Sequence, residues 1–415
     1  MSDKRRGLSR SDLAARFDGL SIFIVFVAIA IRFFLTVNTH RTADELYISI
    51  RFAENLASGS GFVYNLGERA LDVSPLHVLI MSWAYRFGVD PLLFAKVGVV
   101  LADALSCRLL FRVGAFVDRP RAGLIVAAVF AVAPQTVGPA VSGSPTAFAS
   151  VAGIAAAYAL LRRRPLLLGM WAGALALFDL SAVVLAVAML LMFMRRAPRL
   201  GVRASAIFLS ISLPWLIVSS LYFHSPLPTY WPASSYTWIG LVVAPLCLFA
   251  GLCRKAPEKP IGAVAVPIAI LMLGIVFVPV FRARLERDEK QALRLDVSVG
   301  HALRSFVQPQ ELVMTTEIGV LAYYSEARIL DPLGRISPQV KPELRNDATD
   351  SVVAVLTRFY PRYALLRPEE WTALRNAFSR DYKPANYPYA RLFTFPDPSS
   401  PPGAPPAFYL LRRTR

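Results

Sequence analysis

The sequence predicts a polytopic α-helical membrane protein with a small soluble α/β domain at its C-terminal end. Three observations predict it. Of 415 residues, 55% are hydrophobic and mean hydropathy is +0.48, more apolar surface than a soluble chain of this length can cover. The long apolar runs fall within residues 19–281, while 282–415 reads as ordinary soluble sequence. The net charge is +17, and the basic residues cluster in short loops between apolar runs. Cytoplasmic loops of membrane proteins carry such clusters, and anionic headgroups reward them. Nucleic-acid binding is disfavoured, because the basic residues form no single stripe.

The tail 1–18 contains Lys4, Arg5 and Arg6 and is expected in the cytoplasm. The next apolar run is too long for a signal peptide and contains Arg32, so it reads as a retained first crossing. About nine crossings are expected from runs near the spanning length. They are 19–37, 90–111, 122–140, 144–161, 166–178, 181–194, 204–221, 237–253 and 261–281. Arg and Lys clusters at 108–121, 162–164, 195–203 and 254–259 are assigned to the inside. Loops 38–89, 141–143, 179–180 and 222–236 then lie outside, as does the domain 282–415. Segment 74–87 is apolar but only about half the spanning length, so it reads as an interfacial helix. Its Trp83 and Tyr85 suit the headgroup level. Asp179 marks a hairpin tip between two short crossings, since arginines flank both far ends.

In the outer loop, Leu46, Ile50, Ala53 and Leu56 recur at helical spacing opposite Glu45, Ser49 and Glu54. This predicts an amphipathic helix over 44–56, lying along the membrane and ended by the turn at 58–61. In the tail, a charged helix is expected over 282–306. Strands are expected at 311–316, 327–330, 363–366, 391–395 and 407–411, and helices at 351–359 and 368–378. That alternation predicts a small sheet covered by helices. Cys107, Cys247 and Cys253 lie in or beside apolar runs and offer no disulfide framework or metal pair. The four histidines are scattered, which disfavours zinc, and no Gly-rich phosphate loop precedes a helix.

The strongest chemical feature is the acidic pair Asp44 and Glu45, just beyond the first crossing. Adjacent carboxylates suit general-base chemistry or a divalent cation such as Mg or Mn. They equally suit a helix N-terminus capped by Thr42. Residues 44–76 read DELYISIRFAENLASGSGFVYNLGERALDVSPL. This stretch closely resembles the first outer loop of polyprenyl-phosphate-sugar-dependent glycosyltransferases of the GT-C fold. Bacterial arabinofuranosyltransferase- and mannosyltransferase-like members are the most similar. Their loop follows D-[DE]-x-Y-I-[ST]-x-R-[YF]-A-x-N-L-x-x-G-x-G-x-V-[YFW]-N-x-G-E-R. Phe223-His-Ser-Pro-Leu-Pro228, and the tail segments 316–325 and 329–338, resemble further parts of that family.

The resemblance implies an inverting transferase of the bacterial plasma membrane, facing outward. Its partners would be a polyprenyl-phosphate-linked sugar and an extracytoplasmic glycan, lipid or protein acceptor. Asp44 would be the catalytic base, and Glu45 would orient the acceptor or bind a metal. Arg32, Arg51, Arg69 and His77 are the candidates for meeting the donor phosphate. Tyr47, Asp179, His224 and Tyr230 are the candidates for the sugar and acceptor pocket. Asp103, in an apolar span, is expected to pair with a nearby arginine, and Glu317 and Asp331 could contact an acceptor. Three commonly charged family positions differ here: Gly143-Ser-Pro-Thr146 stands for G-M-E-T, Phe178-Asp179-Leu180 for R-P-E, and Pro232-Ala-Ser-Ser235 where a lysine is usual. These departures motivate an alternative, a non-catalytic relative that binds lipid-linked sugar or a partner protein. A transporter would call for an internal repeat, and none is visible.

Overall fold

A computed structural model describes residues 10–39, 41–71, 73–224, 295–309, 311–381, 387–397, 401 and 403–414. The expected crossings at 237–253 and 261–281, and most of the helix expected over 282–306, lie outside the described residues; 295–303 are helical. The described part is an apolar helical bundle followed by a small α/β unit. Helices α1 (Arg10–Thr39), α4 (Pro91–Phe116) and α10 (Pro198–Phe223) are long. Those of α2 (Asp44–Ala57), α3 (Pro75–Arg86), α7 (Thr146–Leu161), α8 (Pro165–Phe178) and α9 (Val183–Arg196) are shorter. Among the described residues, Phe17–Thr39 and Pro198–Phe223 are each long and apolar enough to cross a membrane by themselves. The outer face of α4 shows Leu93, Val97, Leu101 and Leu105 exposed at every fourth position. Such a stripe has no place in water and suits lipid.

Small residues let the helices close on one another. A Cβ added to Gly114 of α4 would come within 2.5 Å of the Gly123 backbone, and one on Gly169 of α8 within 2.5 Å of the Ala204 carbonyl on α10. Close backbone approach of this kind drives helix packing where lipid removes the hydrophobic incentive.

The crossing expected over 122–140 is not continuous. It divides into α5 (Pro120–Val132) and α6 (Pro134–Ser142), bent by 51°. Pro134 has no N–H for the Phe130 carbonyl, and it drives Ala133 into an extended conformation, φ −64° and ψ 130°. Arg32 repairs the break. Its guanidinium donates to the carbonyls of Ala131 at 2.7 Å and Phe130 at 3.3 Å, and it pairs with Asp103 at 2.5 Å. Arg32 is fully buried. The pairing expected for Asp103 is therefore present. Arg32 itself leaves the set of donor-phosphate candidates, because the broken helix and Asp103 already occupy its donors.

Helix α8 stops at Asp179, where a hairpin tip is expected. The Asp179 carboxylate accepts from the Ser181 N–H at 2.9 Å and the Ser181 hydroxyl at 2.5 Å, capping the turn Leu180–Ala182 before α9. Helix α3 covers 12 residues, about 18 Å, which is too short to span; Trp83 on it is exposed.

The C-terminal unit has five strands in the order β2-β1-β3-β5-β4. These are β1 (Leu312–Met314), β2 (Arg328–Leu330), β3 (Tyr363–Leu366), β4 (Tyr389–Phe395) and β5 (Phe408–Arg413). Strand β1 is parallel to β2 and β3, while β5 is antiparallel to β3 and β4. Helices α11 (Val320–Ser325), α12 (Ala348–Phe359) and α13 (Pro368–Asp381) accompany the sheet. Val352, Val355 and Leu356 of α12, and Leu374 and Phe378 of α13, pack on Ala364, Leu366 and Leu411 of the sheet. The short helix α11 is not predicted from sequence, and it is the element that meets α2.

Arg32→Met should lower the thermal midpoint of the detergent-solubilised protein steeply. Stripping one partner from a buried ion pair costs about 3–5 kcal/mol. The double change Arg32→Met with Asp103→Leu should recover part of that loss. Equal midpoints for wild type and the single variant would refute the repair role.

Candidate functional site

The site is built where α2 meets the tail. Helix α2 follows Ala43, whose N–H donates to the Ser142 carbonyl at 2.8 Å, so the turn between α6 and α7 positions its first residues. Thr42 does not cap it; Ala43 occupies the N-cap and offers no side-chain acceptor. The helix presents Asp44, Tyr47 and Arg51 on one face, at the i, i+3, i+7 spacing of neighbours. That face lies alongside α11. The Val320 N–H donates to Asp44 Oδ1 at 2.7 Å. The Arg51 guanidinium donates to the carbonyls of Ala322 at 3.0 Å and Ala327 at 2.8 Å. Between them, Tyr47 is buried with its ring centroid 5.3 Å from Tyr323 and 5.7 Å from Tyr324. Gly319 has no alternative here, since a Cβ would run into the Asp44 carboxylate.

The rest of the loop continues this docking. Tyr64 donates its hydroxyl to the Ile318 carbonyl at 2.6 Å and lies under the Arg51 guanidinium, 4.6 Å from ring to carbon. Asn65 exchanges two hydrogen bonds with the Ile329 backbone, at 2.7 and 3.1 Å. Glu68 pairs with Arg328 at 2.5 Å. The loop thus grips residues 318–329, which take in most of the tail segment 316–325 and reach the first residue of 329–338.

Five acidic groups gather at this seam. Asp44 and Glu45 are reached by solvent but crowded by protein. Desolvation raises the Asp44 pKa, with Glu317 adding to the rise; the Val320 N–H, Arg335 and Arg367 oppose it. Desolvation likewise raises Glu45, opposed by a hydrogen bond from the Ser144 hydroxyl and reinforced by Asp44 and Asp179. The Ser144 bond is long, 3.4 Å. Asp296, on the helical stretch 295–303, is pushed up to about 7 by burial, Glu317 and Asp44. Asp44 and Glu45 are thus the kind of carboxyls that can exchange protons nearer neutrality than ordinary acids.

The two carboxylates diverge, Asp44 to Val320 and Glu45 to Ser144. Among the described residues, no three metal-ligating side chains converge. Among the described residues, the six or more oxygen ligands that such a divalent cation takes are not assembled around these two carboxylates.

The remaining candidates separate clearly. Arg51 is spent on backbone carbonyls, and Tyr47 is buried against Tyr323 and Tyr324. His77 is fully buried, with neither ring nitrogen hydrogen-bonded, and burial lowers its pKa to about 4. It packs on Phe148 at 5.8 Å and presents nothing to a phosphate. Arg69 remains exposed, with its guanidinium 4.4 Å from the Tyr222 ring near the end of α10. Asp179 lies close enough to Glu45 to raise its pKa. His224 is exposed and left-handed at the end of α10, φ 55°. Tyr230 lies outside the described residues. In the tail, Asp331 is buried and accepts from the Leu333 and Arg335 N–H groups, so it is structural; Glu317 pairs with Arg367.

Sequence reasoning passed over Lys96. It stands in the second turn of α4, with its chain 3.6 Å from the position a Gly143 Cβ would take, beside Leu46. Gly143 itself is left-handed, φ 76°. The signal was a single lysine near the outer end of an otherwise apolar run.

Comparison with known proteins agrees with this architecture. A family described as a domain of unknown function, DUF8728, matches residues 283–409. No curated protein matches the chain in sequence. In structure the chain is similar to ArnT from Cupriavidus metallidurans bound to undecaprenyl phosphate, at 12% identity and TM-score 0.59, over 97% of this chain and 98% of that one. Apo ArnT gives 13% identity and TM-score 0.59, covering 95% and 98%. The mycobacterial arabinofuranosyltransferase AftD gives 14% identity and TM-score 0.52, over 94% of this chain but only 41% of AftD. The chain therefore has a GT-C-like fold.

Asp296 offers a test of the seam. A carboxyl whose folded pKa is above its unfolded value loses stabilisation as pH rises from the unfolded to the folded pKa. Asp296→Asn should therefore raise the thermal midpoint over wild type increasingly between about pH 4 and pH 7, the difference levelling off above that. A constant difference across that range would remove Asp296 from the acidic cluster.

Proposed function

We propose that the chain is an inverting membrane glycosyltransferase that uses a polyprenyl-phosphate sugar donor. Asp44 takes the proton of an acceptor hydroxyl, and that oxygen forms a bond to the anomeric carbon from the face opposite the phosphate. The bond from the anomeric carbon to the phosphate oxygen breaks, and the polyprenyl phosphate leaves with the electron pair. Lys96 and Arg69 would meet its charge. Glu45 and Asp179 hold the acceptor beside the base, and the tail supplies the wall of the acceptor side, outside the bacterial plasma membrane. The observation that carries this reading is the Asp44 carboxylate. Val320 fixes one of its oxygens, and the carboxyl is raised by its surroundings, next to a second acid in a fold similar to a lipid-phosphate-bound structure. The alternative, a non-catalytic relative, is favoured by Pro145, which stands where the resembling family often carries an acid, next to the Ser144 whose hydroxyl faces Glu45.

Membranes containing the protein, incubated with labelled polyprenyl-phosphate pentose or hexose, should pass label to an acceptor. Asp44→Asn should reduce transfer about 10²–10⁴-fold, the usual worth of a general base, while the protein stays folded. Wild-type rates from that variant would end the base assignment; carrier binding without turnover by wild type would favour the alternative. The pH profile carries its own signature. Because the base must be ionised and its pKa is raised, transfer should fall on acidification at a pH above the ordinary aspartate range. An acid limb at or below that range would contradict the environment described. Gly319→Ala should depress transfer although Asp44 is intact, since the new methyl displaces its carboxylate; unchanged transfer would show that the contact does not matter.

A further inference from the structure

A groove of about 670 Å³ opens on the side of the bundle between α4, α7 and α8. It lies at the end remote from the carboxylates. Helix α7 begins at Thr146, whose hydroxyl is 3.0 Å from Ser144 beside Glu45, and it reaches the groove only in its second half. The walls are Leu109 of α4, Ala155 and Ala159 of α7, and Trp171 of α8. The two alanines leave the space that larger side chains would fill. The mouth carries Arg162 and Arg164. Arg162 is oriented by Tyr158, donating to its hydroxyl at 3.3 Å, and lies 5.7 Å from the Phe116 ring. Among the described residues, no carboxylate pairs with Arg162, Arg163 or Arg164; Asp18, which takes Arg108 at 2.8 Å, serves that neighbouring stretch of α4 instead.

We infer that this groove is a binding site for an anionic phospholipid, with one acyl chain between α4, α7 and α8 and the headgroup phosphate between Arg162 and Arg164. An apolar space of this size beside exposed Leu105, Leu166 and Leu167 is open to the bilayer, where chains are the available filler. Unneutralised arginines at the mouth select the sign of the headgroup, as basic pockets between membrane helices do. The site is distinct from the acidic seam and does not depend on the transferase reading.

The test is native mass spectrometry of the full-length protein in detergent, with phosphatidylglycerol, phosphatidylcholine of the same chains, or inorganic phosphate added. Wild type should retain one phosphatidylglycerol at collision energies that remove phosphatidylcholine, and should retain no phosphate. Arg162→Gln with Arg164→Gln should weaken that retention about tenfold or more, as expected for two surface cations. Ala159→Leu, which keeps both arginines and fills the groove, should also evict the lipid. Equal retention of the two lipids, or undiminished phosphatidylglycerol in the double variant, overturns the site. Retention that survives Ala159→Leu, or that phosphate alone reproduces, shows adhesion of an anion without a seated chain and overturns it equally.

Discussion

Helix α11 has six residues, too few to be stable alone. It is held at both ends by charges on α2. Asp44 accepts the Val320 N–H at its start, and Arg51 meets the Ala322 carbonyl and, just beyond its end, that of Ala327. Both charges complement the helix dipole, acid at the N-terminus and base at the C-terminus. They are seven residues apart on α2, about 10 Å of helix, so the two helices lie side by side and run in the same direction. The Tyr47 and Tyr323 rings fill the space between. The attachment of the tail to the bundle, and with it the arrangement of the acidic seam, depends on this clamp.

It follows that the long loop stretch singled out in the sequence is mostly a docking surface. Arg51, Tyr64, Asn65 and Glu68 all spend their polar groups on the tail. Arg51, Tyr64 and Asn65 satisfy backbone that would otherwise be buried unpaired between two units, at a cost comparable to a lost hydrogen bond, and Glu68 pairs with the Arg328 side chain. Asp44 and Glu45, the first two residues of the stretch, bring its carboxyls to the seam instead. The bundle contributes to the same place through Ser144, Asp179 and Lys96. The seam therefore draws on the loop, the bundle and the tail.

Much of this was legible one element at a time. The strands of the tail fall within two residues of their apolar runs, because short β-rich runs bounded by turn residues have little freedom to shift. The interruption at Asp179 could be read from an acid between two short apolar runs. Long-range partners could not. Arg32 looked like a phosphate ligand because an arginine in a span is costly, and nothing local reveals that Pro134 frees carbonyls opposite it. The same holds for Arg51, whose partners lie more than 270 positions away. Lys96 was overlooked because a lone lysine in an apolar run gives no periodic signal. Helix α11 escaped because six residues held by outside charges carry no helical pattern of their own.

The base role proposed for Asp44 is compatible with its structural one. An ionised carboxylate offers about four lone-pair positions, and the bond from Val320 occupies one, at Oδ1. The second oxygen is left for a proton, while the first keeps the side chain from rotating away. The surroundings work in the same sense. The Val320 N–H draws the Asp44 pKa down, desolvation and Glu317 draw it up, and the rise prevails. Val320, Glu317, Arg335 and Arg367 all belong to the tail, so the proton affinity of Asp44 is a property of the docked molecule rather than of the loop. An asparagine at position 44 would still accept the Val320 N–H while losing the capacity to take a proton. That substitution separates the clamp from the chemistry, whereas the loss of Gly319 disturbs both at once.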